Sequence, residues 1–94
     1  MEFLSEKDQL KNLIAQRQSL EAEADAIFSE LTSKGPNGEP PAGIKTPLVD
    51  SEGFPRNDID LVNATSKRGR LAVINNDYKV LMSKIEELLH RIHG

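Results

Sequence analysis

Two long stretches of the chain place apolar residues at alternating steps of three and four. This spacing puts the apolar side chains on one face of a helix and is typical of helices packed along their length. The series in residues 5–34 is Leu10, Leu13, Leu20, Ala24, Ile27 and Leu31, and only Arg17 interrupts it. The series in residues 58–93 is Leu71, Ile74, Tyr78, Leu81, Ile85, Leu88 and Ile92. The pattern therefore predicts two helices, each roughly 45 to 55 Å long.

Polar residues at the ends of both stretches support these limits. Ser5 and Asp8 resemble a capping box at the start of the first helix, and Asn57 and Asp60 resemble one at the start of the second. A Gly-Pro pair at 35–36 ends the first helix, because proline cannot continue it. The prediction is a single helical domain over residues 1–94, with helices at about 5–34 and 58–93.

Helices of matched length that are joined by one connection form an antiparallel hairpin most easily. The predicted fold is therefore all-α, a coiled-coil-like antiparallel hairpin of two helices. If the helix ends are level, the numbers of facing residues add up to about 92, which places Arg17 beside Asn75 as a polar layer in the apolar seam. The apolar repeat lapses over residues 65–70, where we expect close packing around Gly69 or a break in the second helix.

The segment between the helices, residues 35–57, holds all five prolines of the chain. We call it the crossing segment, because four apolar side chains in its later part indicate that it folds back across the hairpin. These side chains are Ile44, Leu48, Val49 and Phe54. Asp50 to Gly53 have the sequence of a type I turn that leads the chain towards the second helix.

Composition limits the possible functions. The net charge of -3 gives little general attraction to nucleic acid or to anionic lipid, so we expect neither as a partner. The chain has no cysteine, which excludes disulfides and thiol catalysis and fits a reducing compartment. The first eight residues contain acids where a signal peptide would have bases, and no apolar run is long enough to span a membrane, so we expect the protein in the cytoplasm and nucleus.

No motif in the chain predicts catalysis or a cofactor. Residues 38–46 approach a phosphate-binding loop, but isoleucine stands where that loop needs lysine, and no strand precedes it. His90 and His93 have a spacing that suits zinc, yet two ligands are too few for a site. We expect no enzyme activity, no metal and no cofactor, because a thin hairpin rarely provides a pocket that excludes water.

Two features favour a protein partner. The densest basic cluster is formed by Lys67, Arg68 and Arg70, which are either a solvated face or a contact for an acidic patch on a partner. In addition, more apolar residues are present than two touching helices can cover. These surplus residues are Phe3, Ile14, Phe28, Val62, Val73, Val80, Met82 and Leu89.

The sequence from Pro47 to Asp60 resembles a known family. It reads Pro-Leu-Val-Asp-Ser-Glu-Gly-Phe-Pro-Arg-Asn-Asp-Ile-Asp, which meets every fixed position of a pattern found in the proteasome assembly chaperones called non-ATPase regulatory subunit 9. The resemblance is to their N-terminal domain. It continues through Arg68, through 76–77 and 86–87, and into the Leu-His pair at 89–90.

This resemblance implies that the chain binds one ATPase subunit of the proteasome base and holds it until the ATPase ring forms. The contact would be with the folded C-terminal domain of the ATPase, whose surface the helical domain masks. Family members also carry a C-terminal PDZ domain that grips the tail of the ATPase, and we expect that domain to be absent from this chain.

The expected partner-binding residues come from the family motif and from the basic cluster. They are Asp50, Phe54, Pro55, Arg56, Asp58, Asp60, Lys67, Arg68 and Arg70. The motif residues either touch the partner or hold the crossing segment and cap the second helix. The rival function is a homodimeric structural scaffold, in which the surplus apolar residues pack against a second copy; we favour a monomer.

Overall fold

The computed structural model describes residues 5–94, so the surplus residue Phe3 lies outside the described part. Helix α1 spans Glu6–Thr32 and helix α2 spans Leu61–His93. The two helices pack against each other along a molecule that measures 57 × 24 × 24 Å. The prediction of an all-α hairpin is confirmed. Neither helix contains an apolar stretch of the length and low charge that a bilayer crossing requires.

Both helices begin at a side-chain cap. The Ser5 hydroxyl accepts a hydrogen bond from the Asp8 N–H at 3.1 Å, as the sequence predicts. The Asp60 carboxylate accepts one from the Asn63 N–H at 3.0 Å. Helix α2 therefore starts three residues later than expected, and the predicted box of Asn57 with Asp60 is wrong, because Asp60 itself is the capping residue.

Helix α1 ends two residues earlier than expected. The Thr32 hydroxyl donates to the Phe28 carbonyl at 2.7 Å, and Ser33 already has extended backbone angles, φ -104° and ψ 158°. The crossing segment consequently occupies residues 33–60 rather than 35–57.

The expected break in α2 near residues 65–70 is wrong, because the helix is continuous from Leu61 to His93. Close packing around Gly69 is also absent. Gly69 is exposed, and a Cβ atom added there would meet nothing within 4 Å. The lapse in the apolar repeat therefore marks a polar stretch of an ordinary helix.

The core follows the two predicted seams and adds Ala64, which lies outside the predicted series of the second helix. One cluster of buried residues extends from the closed end of the hairpin along α2 and consists of Ile27, Leu31, Ala64 and Ile74. Leu81, Ile85 and Leu88 continue the buried series of α2 towards the open end. Only about one layer of side chains is buried, and the accessible surface of 7059 Å² exceeds the roughly 5,400 Å² expected for a compact chain of this mass.

The crossing segment folds back across the closed end, as predicted, but only half of its large apolar side chains reach the core. Ile44 and Leu48 pack against the core cluster, and the Gly43 N–H donates to the Leu31 carbonyl at 2.7 Å. Val49 and Phe54 stay 50% and 63% exposed, so the expectation that they cover the hairpin is wrong.

Polar pairs between the helices show that they run antiparallel. The pairs are Glu30 with Asn63, Glu23 with Arg70, and Glu21 with Tyr78. Their numbers add up to 93, 93 and 99. Every side chain leans towards the N-terminus of its own helix. The numbers of two long side chains in contact therefore add up to more than the numbers of two residues whose Cα atoms lie directly opposite each other. The expected neighbourhood of Arg17 and Asn75 stays a prediction.

Candidate protein-interaction site

Residues 48–56 of the crossing segment form a short hairpin turn that is closed by one antiparallel bridge between Val49 and Pro55, and we call it the tip hairpin. The Asp50 N–H donates to the Phe54 carbonyl at 2.7 Å, and the Arg56 N–H donates to the Leu48 carbonyl at 3.0 Å. The predicted turn closes it, with the Gly53 N–H donating to the Asp50 carbonyl at 3.1 Å. Gly53 has φ 86°, a value that suits glycine after a type I turn in a three-residue hairpin loop.

The Asp50 side chain stabilises this turn from within. Its Oδ1 atom accepts hydrogen bonds from the Glu52 N–H at 2.9 Å and from the Phe54 N–H at 3.0 Å. An aspartate that binds the backbone of the following residues favours the turn over extended chain. The structure therefore gives Asp50 a role in shaping the tip hairpin.

Arg56 and Asp58 stabilise the base of the tip hairpin. The Arg56 side chain is only 16% exposed, and its Nε and Nη2 atoms donate to the two carboxylate oxygens of Asp58 at 3.0 and 3.1 Å. The hydrogen bonds from Arg56 hold the pKa of Asp58 below its ordinary value. A third, longer bond of 3.4 Å joins Arg56 Nη1 to the Pro47 carbonyl. Two parallel hydrogen bonds between a guanidinium group and a carboxylate fix the relative orientation of the two side chains as well as attracting them to each other.

The apolar side chains of the tip hairpin face solvent. Phe54 and Val49 are 63% and 50% exposed, Pro55 is exposed as well, and Val49 lies opposite Pro55 in the single bridge. We call Val49, Phe54 and Pro55 the tip patch. The backbone beneath it is fixed by the bonds of Asp50 and Arg56, so little conformational entropy remains to be lost when a partner covers it.

Arg68 attaches the crossing segment to α2. Its Nε donates to the Gly43 carbonyl at 3.0 Å, and its Nη2 donates to the carbonyls of Ala42 and Thr46 at 3.0 and 2.7 Å. These carbonyls belong to a stretch without helix or strand, where side chains must satisfy the backbone. Arg68 is half-buried by this arrangement.

The other two members of the basic cluster pair with acids of α1. Arg70 donates to both carboxylate oxygens of Glu23 at 2.6 and 2.8 Å, and Lys67 Nζ lies 3.5 Å from Glu30. Asn63 also donates to Glu30, at 3.1 Å. The three basic residues therefore point to different internal partners and do not form one free basic surface.

The Glu23–Arg70 pair adds a small contribution to the stability of the hairpin that depends on pH. The hydrogen bonds from Arg70 lower the pKa of Glu23 below its ordinary value of 4.5. A lowered folded-state pKa means that the pair stabilises the fold above pH 4.5 and that this contribution is lost as the pH falls through the folded pKa. We expect an NMR titration of the Glu23 carboxyl to show the low value, and the value to return towards 4.5 in Arg70→Gln. An unchanged Glu23 pKa in that variant would contradict the pairing.

Apolar residues also remain uncovered on the helices. On α1, Phe28 is 52% exposed. On the outward face of α2, Val62, Val73 and Val80 are 82%, 49% and 50% exposed. Their spacing of 11 and 7 residues places them on one stripe of the helix. Within residues 5–94, no three histidine, aspartate or glutamate side chains are grouped so that they could hold a metal ion.

Comparison with known proteins assigns a family to this arrangement. Residues 10–94 match the family model described as the Nas2 N-terminal domain. The chain belongs to the Nas2 N-terminal domain family. The predicted resemblance is thereby confirmed over most of the sequence.

Curated relatives of this Nas2 N-terminal domain are proteasome proteins by name. The chain is 37% identical over 86 residues to the mouse protein "26S proteasome non-ATPase regulatory subunit 9", which covers 90% of the chain and 36% of the relative. It is 37% identical over 88 residues to the Drosophila melanogaster protein of the same name, covering 94% and 38%. It is 28% identical over 82 residues to the Saccharomyces cerevisiae "Probable 26S proteasome regulatory subunit p27", covering 87% and 34%.

The chain thus spans a little over a third of the length of these relatives. No solved structure was found to match it.

The structure of this Nas2 N-terminal domain divides the expected partner-binding residues into two groups. Most of them make bonds within the chain: Asp50, Arg56, Asp58, Asp60, Lys67, Arg68 and Arg70. Phe54 and Pro55 instead present apolar surface to solvent, next to Val49, which was not among the expected residues. Strand alternation was the available signal for Val49, because its neighbour Leu48 turns inward to the core.

Proposed function

We propose that this domain acts as an assembly chaperone, which binds the C-terminal domain of a proteasome ATPase subunit and masks its surface until the ATPase ring of the base forms. Membership of the Nas2 N-terminal domain family and the names of its proteasome relatives support this proposal. The activity is binding without catalysis, and its place is the cytoplasm and nucleus, where the partner is assembled.

The main structural support for the proposal is the tip patch, which is exposed on a tip hairpin that Asp50 and Arg56 stabilise. Phe54, at 63% exposure, has the side-chain type that dominates the energy of protein interfaces. Fully burying an exposed phenylalanine contributes about 1.5 to 3 kcal/mol, and covering the exposed 63% of Phe54 would contribute the larger part of that. The patch is held by Arg56 and Asp50 in a fixed shape, which is the property expected of a recognition element.

Masking requires only that the domain covers a surface that another subunit also needs. A standard interface of about 800 Å² per partner is small beside the accessible surface of 7059 Å². A bound chaperone then blocks wrong contacts for as long as its dissociation is slower than their formation. The correct neighbouring subunit displaces it by competition for the same surface.

A binding measurement with two phenylalanine variants tests the proposal. We expect isothermal titration calorimetry with isolated ATPase C-terminal domains to detect binding of the wild-type chain to one of them. Phe54→Ala should weaken it about tenfold or more, because truncating an interface phenylalanine removes its buried area. Phe28→Ala is the matched control, since Phe28 is similarly exposed at 52% but lies on α1, and its affinity should stay near the wild-type value.

Two outcomes would refute the proposal. Failure of the wild-type chain to bind any ATPase C-terminal domain would refute the function itself. Wild-type affinity in Phe54→Ala would show that binding uses another surface.

The stripe of Val62, Val73 and Val80 favours a second candidate, a homodimeric scaffold in which two copies of α2 pack together. We propose a monomer, and sedimentation at micromolar concentration separates the two functions. A monomer that binds an ATPase domain agrees with the chaperone. A tight dimer that binds none agrees with the scaffold.

A further inference from the structure

Thr46 is the only serine or threonine in the chain that is followed by proline. It lies in the crossing segment just before the tip hairpin, is exposed, and belongs to neither helix. A following proline disfavours helical backbone, and Thr46 lies in a bend of the chain between the two helices. Within residues 5–94, its hydroxyl makes no hydrogen bond, so a modifying enzyme would break none at this atom.

Two arginines lie beside Thr46. The Arg68 guanidinium contacts the Thr46 carbonyl at 2.7 Å, and the Thr46 side chain lies against Gly43, whose carbonyl is also bound by Arg68. Arg56 lines the same surface hollow as Thr46. Its Nη1 atom contacts the carbonyl of the next residue, Pro47, at 3.4 Å.

Both arginines have N–H groups to spare. Arg68 uses Nε and Nη2 for its three carbonyls, so both hydrogens of Nη1 remain available. Arg56 uses Nε and Nη2 for Asp58 and has only the long bond from Nη1. A phosphate oxygen is a much stronger acceptor for these groups than a peptide carbonyl.

From this geometry we propose that Thr46 is a phosphorylation site for a proline-directed protein kinase, and that Arg56 and Arg68 hold the phosphate. In this step the Thr46 hydroxyl oxygen attacks the γ-phosphorus of ATP. The new O–P bond forms as the bond from the γ-phosphorus to the β,γ-bridging oxygen breaks, ADP leaves, and the catalytic aspartate of the kinase takes the hydroxyl proton.

Acidic groups near the site do not prevent this. Asp50 and Asp58 line the same hollow, but both oxygens of Asp58 are hydrogen-bonded to Arg56 and one oxygen of Asp50 binds two backbone N–H groups. The phosphate adds a charge of about -2 next to two guanidinium groups, one on α2 and one at the base of the tip hairpin. Phosphorylation therefore links the crossing segment more firmly to the rest of the fold.

The site is tested on the whole folded chain with a purified proline-directed kinase, Mg²⁺ and ATP. We expect the intact mass to increase by one phosphoryl group, Thr46→Val to remain unmodified, and Pro47→Ala to react at least tenfold more slowly. Failure of the wild-type chain to react, or equal labelling of Thr46→Val, would overturn the site. This proposal stands apart from the proposed function, because no ATPase domain takes part in the measurement.

The role of the arginines is tested by phosphorus NMR of the phosphorylated chain. Nearby guanidinium groups favour the dianion, so we expect the second pKa of the phosphate to lie a few tenths to about one unit lower in the folded protein than in the same protein unfolded in urea. Arg56→Gln, which leaves Arg68 in place, should recover part of this difference. Equal values in the folded and unfolded protein would overturn the assignment of the arginines.

Discussion

Leu88→Ala is expected to lower the free energy of unfolding by about 2 to 4 kcal/mol, whereas Leu89→Ala should lower it by about 1 kcal/mol or less. Leu88 is 1% exposed in the seam of α2, and its neighbour Leu89 is 36% exposed. The same atoms are removed at both positions. The difference therefore measures the cavity and the lost packing between the helices.

The loss at Leu88 is large for a chain of this size. Small domains have total stabilities of about 5 to 15 kcal/mol, and the single layer of buried side chains leaves few contacts to compensate. Urea unfolding followed by far-UV circular dichroism gives both values. Equal losses for Leu88→Ala and Leu89→Ala would show that the seam of α2 faces elsewhere.

Apolar periodicity and end signals were enough to predict the two helices. The alternating steps of three and four marked the buried faces, because burial in a hairpin depends on which residues share a face. The predicted cap at Ser5 is confirmed. It could be predicted from the sequence because the hydroxyl and the N–H that it binds are only three residues apart in the chain. The start of α2 was placed three residues too early, because Asn57 and Asp60 both suit a cap, and in the structure Asp60 is the residue whose carboxylate accepts the Asn63 N–H.

The two predictions for residues 65–70, close packing around Gly69 or a break in α2, show the limit of apolar patterns. Residues 65–70 lack apolar members of the seam, yet Lys67 and Arg70 pair with acids of α1, and Arg68 binds the crossing segment. These polar contacts hold the helix where apolar contacts are missing. A pattern that counts only apolar side chains cannot detect them, because the partners lie 22 or more positions away in sequence.

The sequence directed attention to the tip hairpin, and whether its residues bind a partner stays a prediction. The family motif singled out the tip hairpin, but a motif cannot separate residues that keep a shape from residues that touch a partner. Asp50 and Arg56 form their hydrogen bonds within the chain, whereas Phe54 is exposed to solvent. Only the three-dimensional structure separates the two roles, because it shows which polar side chains are hydrogen-bonded within the chain and which side chains are exposed.

Arg68→Ala is expected to release the crossing segment and to lower the free energy of unfolding by about 1 to 3 kcal/mol. The half-buried Arg68 guanidinium donates to the carbonyls of Ala42, Gly43 and Thr46, which lose a charged donor in the variant. Hydrogen exchange of residues 42–56 should accelerate. The helix content should stay unchanged, because the three carbonyls lie outside α1 and α2.

The matched control is Arg70→Ala, which removes an equally basic residue two positions away. The Arg70 side chain is 45% exposed and its bonds go to the exposed Glu23, so solvent replaces most of what the pair provides and little change in the urea midpoint is expected. Arg68→Lys should not rescue the crossing segment, because an ammonium group lacks the planar fork that reaches separated carbonyls. If Arg70→Ala proved as damaging as Arg68→Ala, the crossing segment would not depend on Arg68. If Arg68→Ala destabilises the chain and Arg70→Ala does not, weaker binding of an ATPase domain by Arg68→Ala would result from a displaced tip hairpin. Phe54→Ala is then the variant that measures direct contact with the partner.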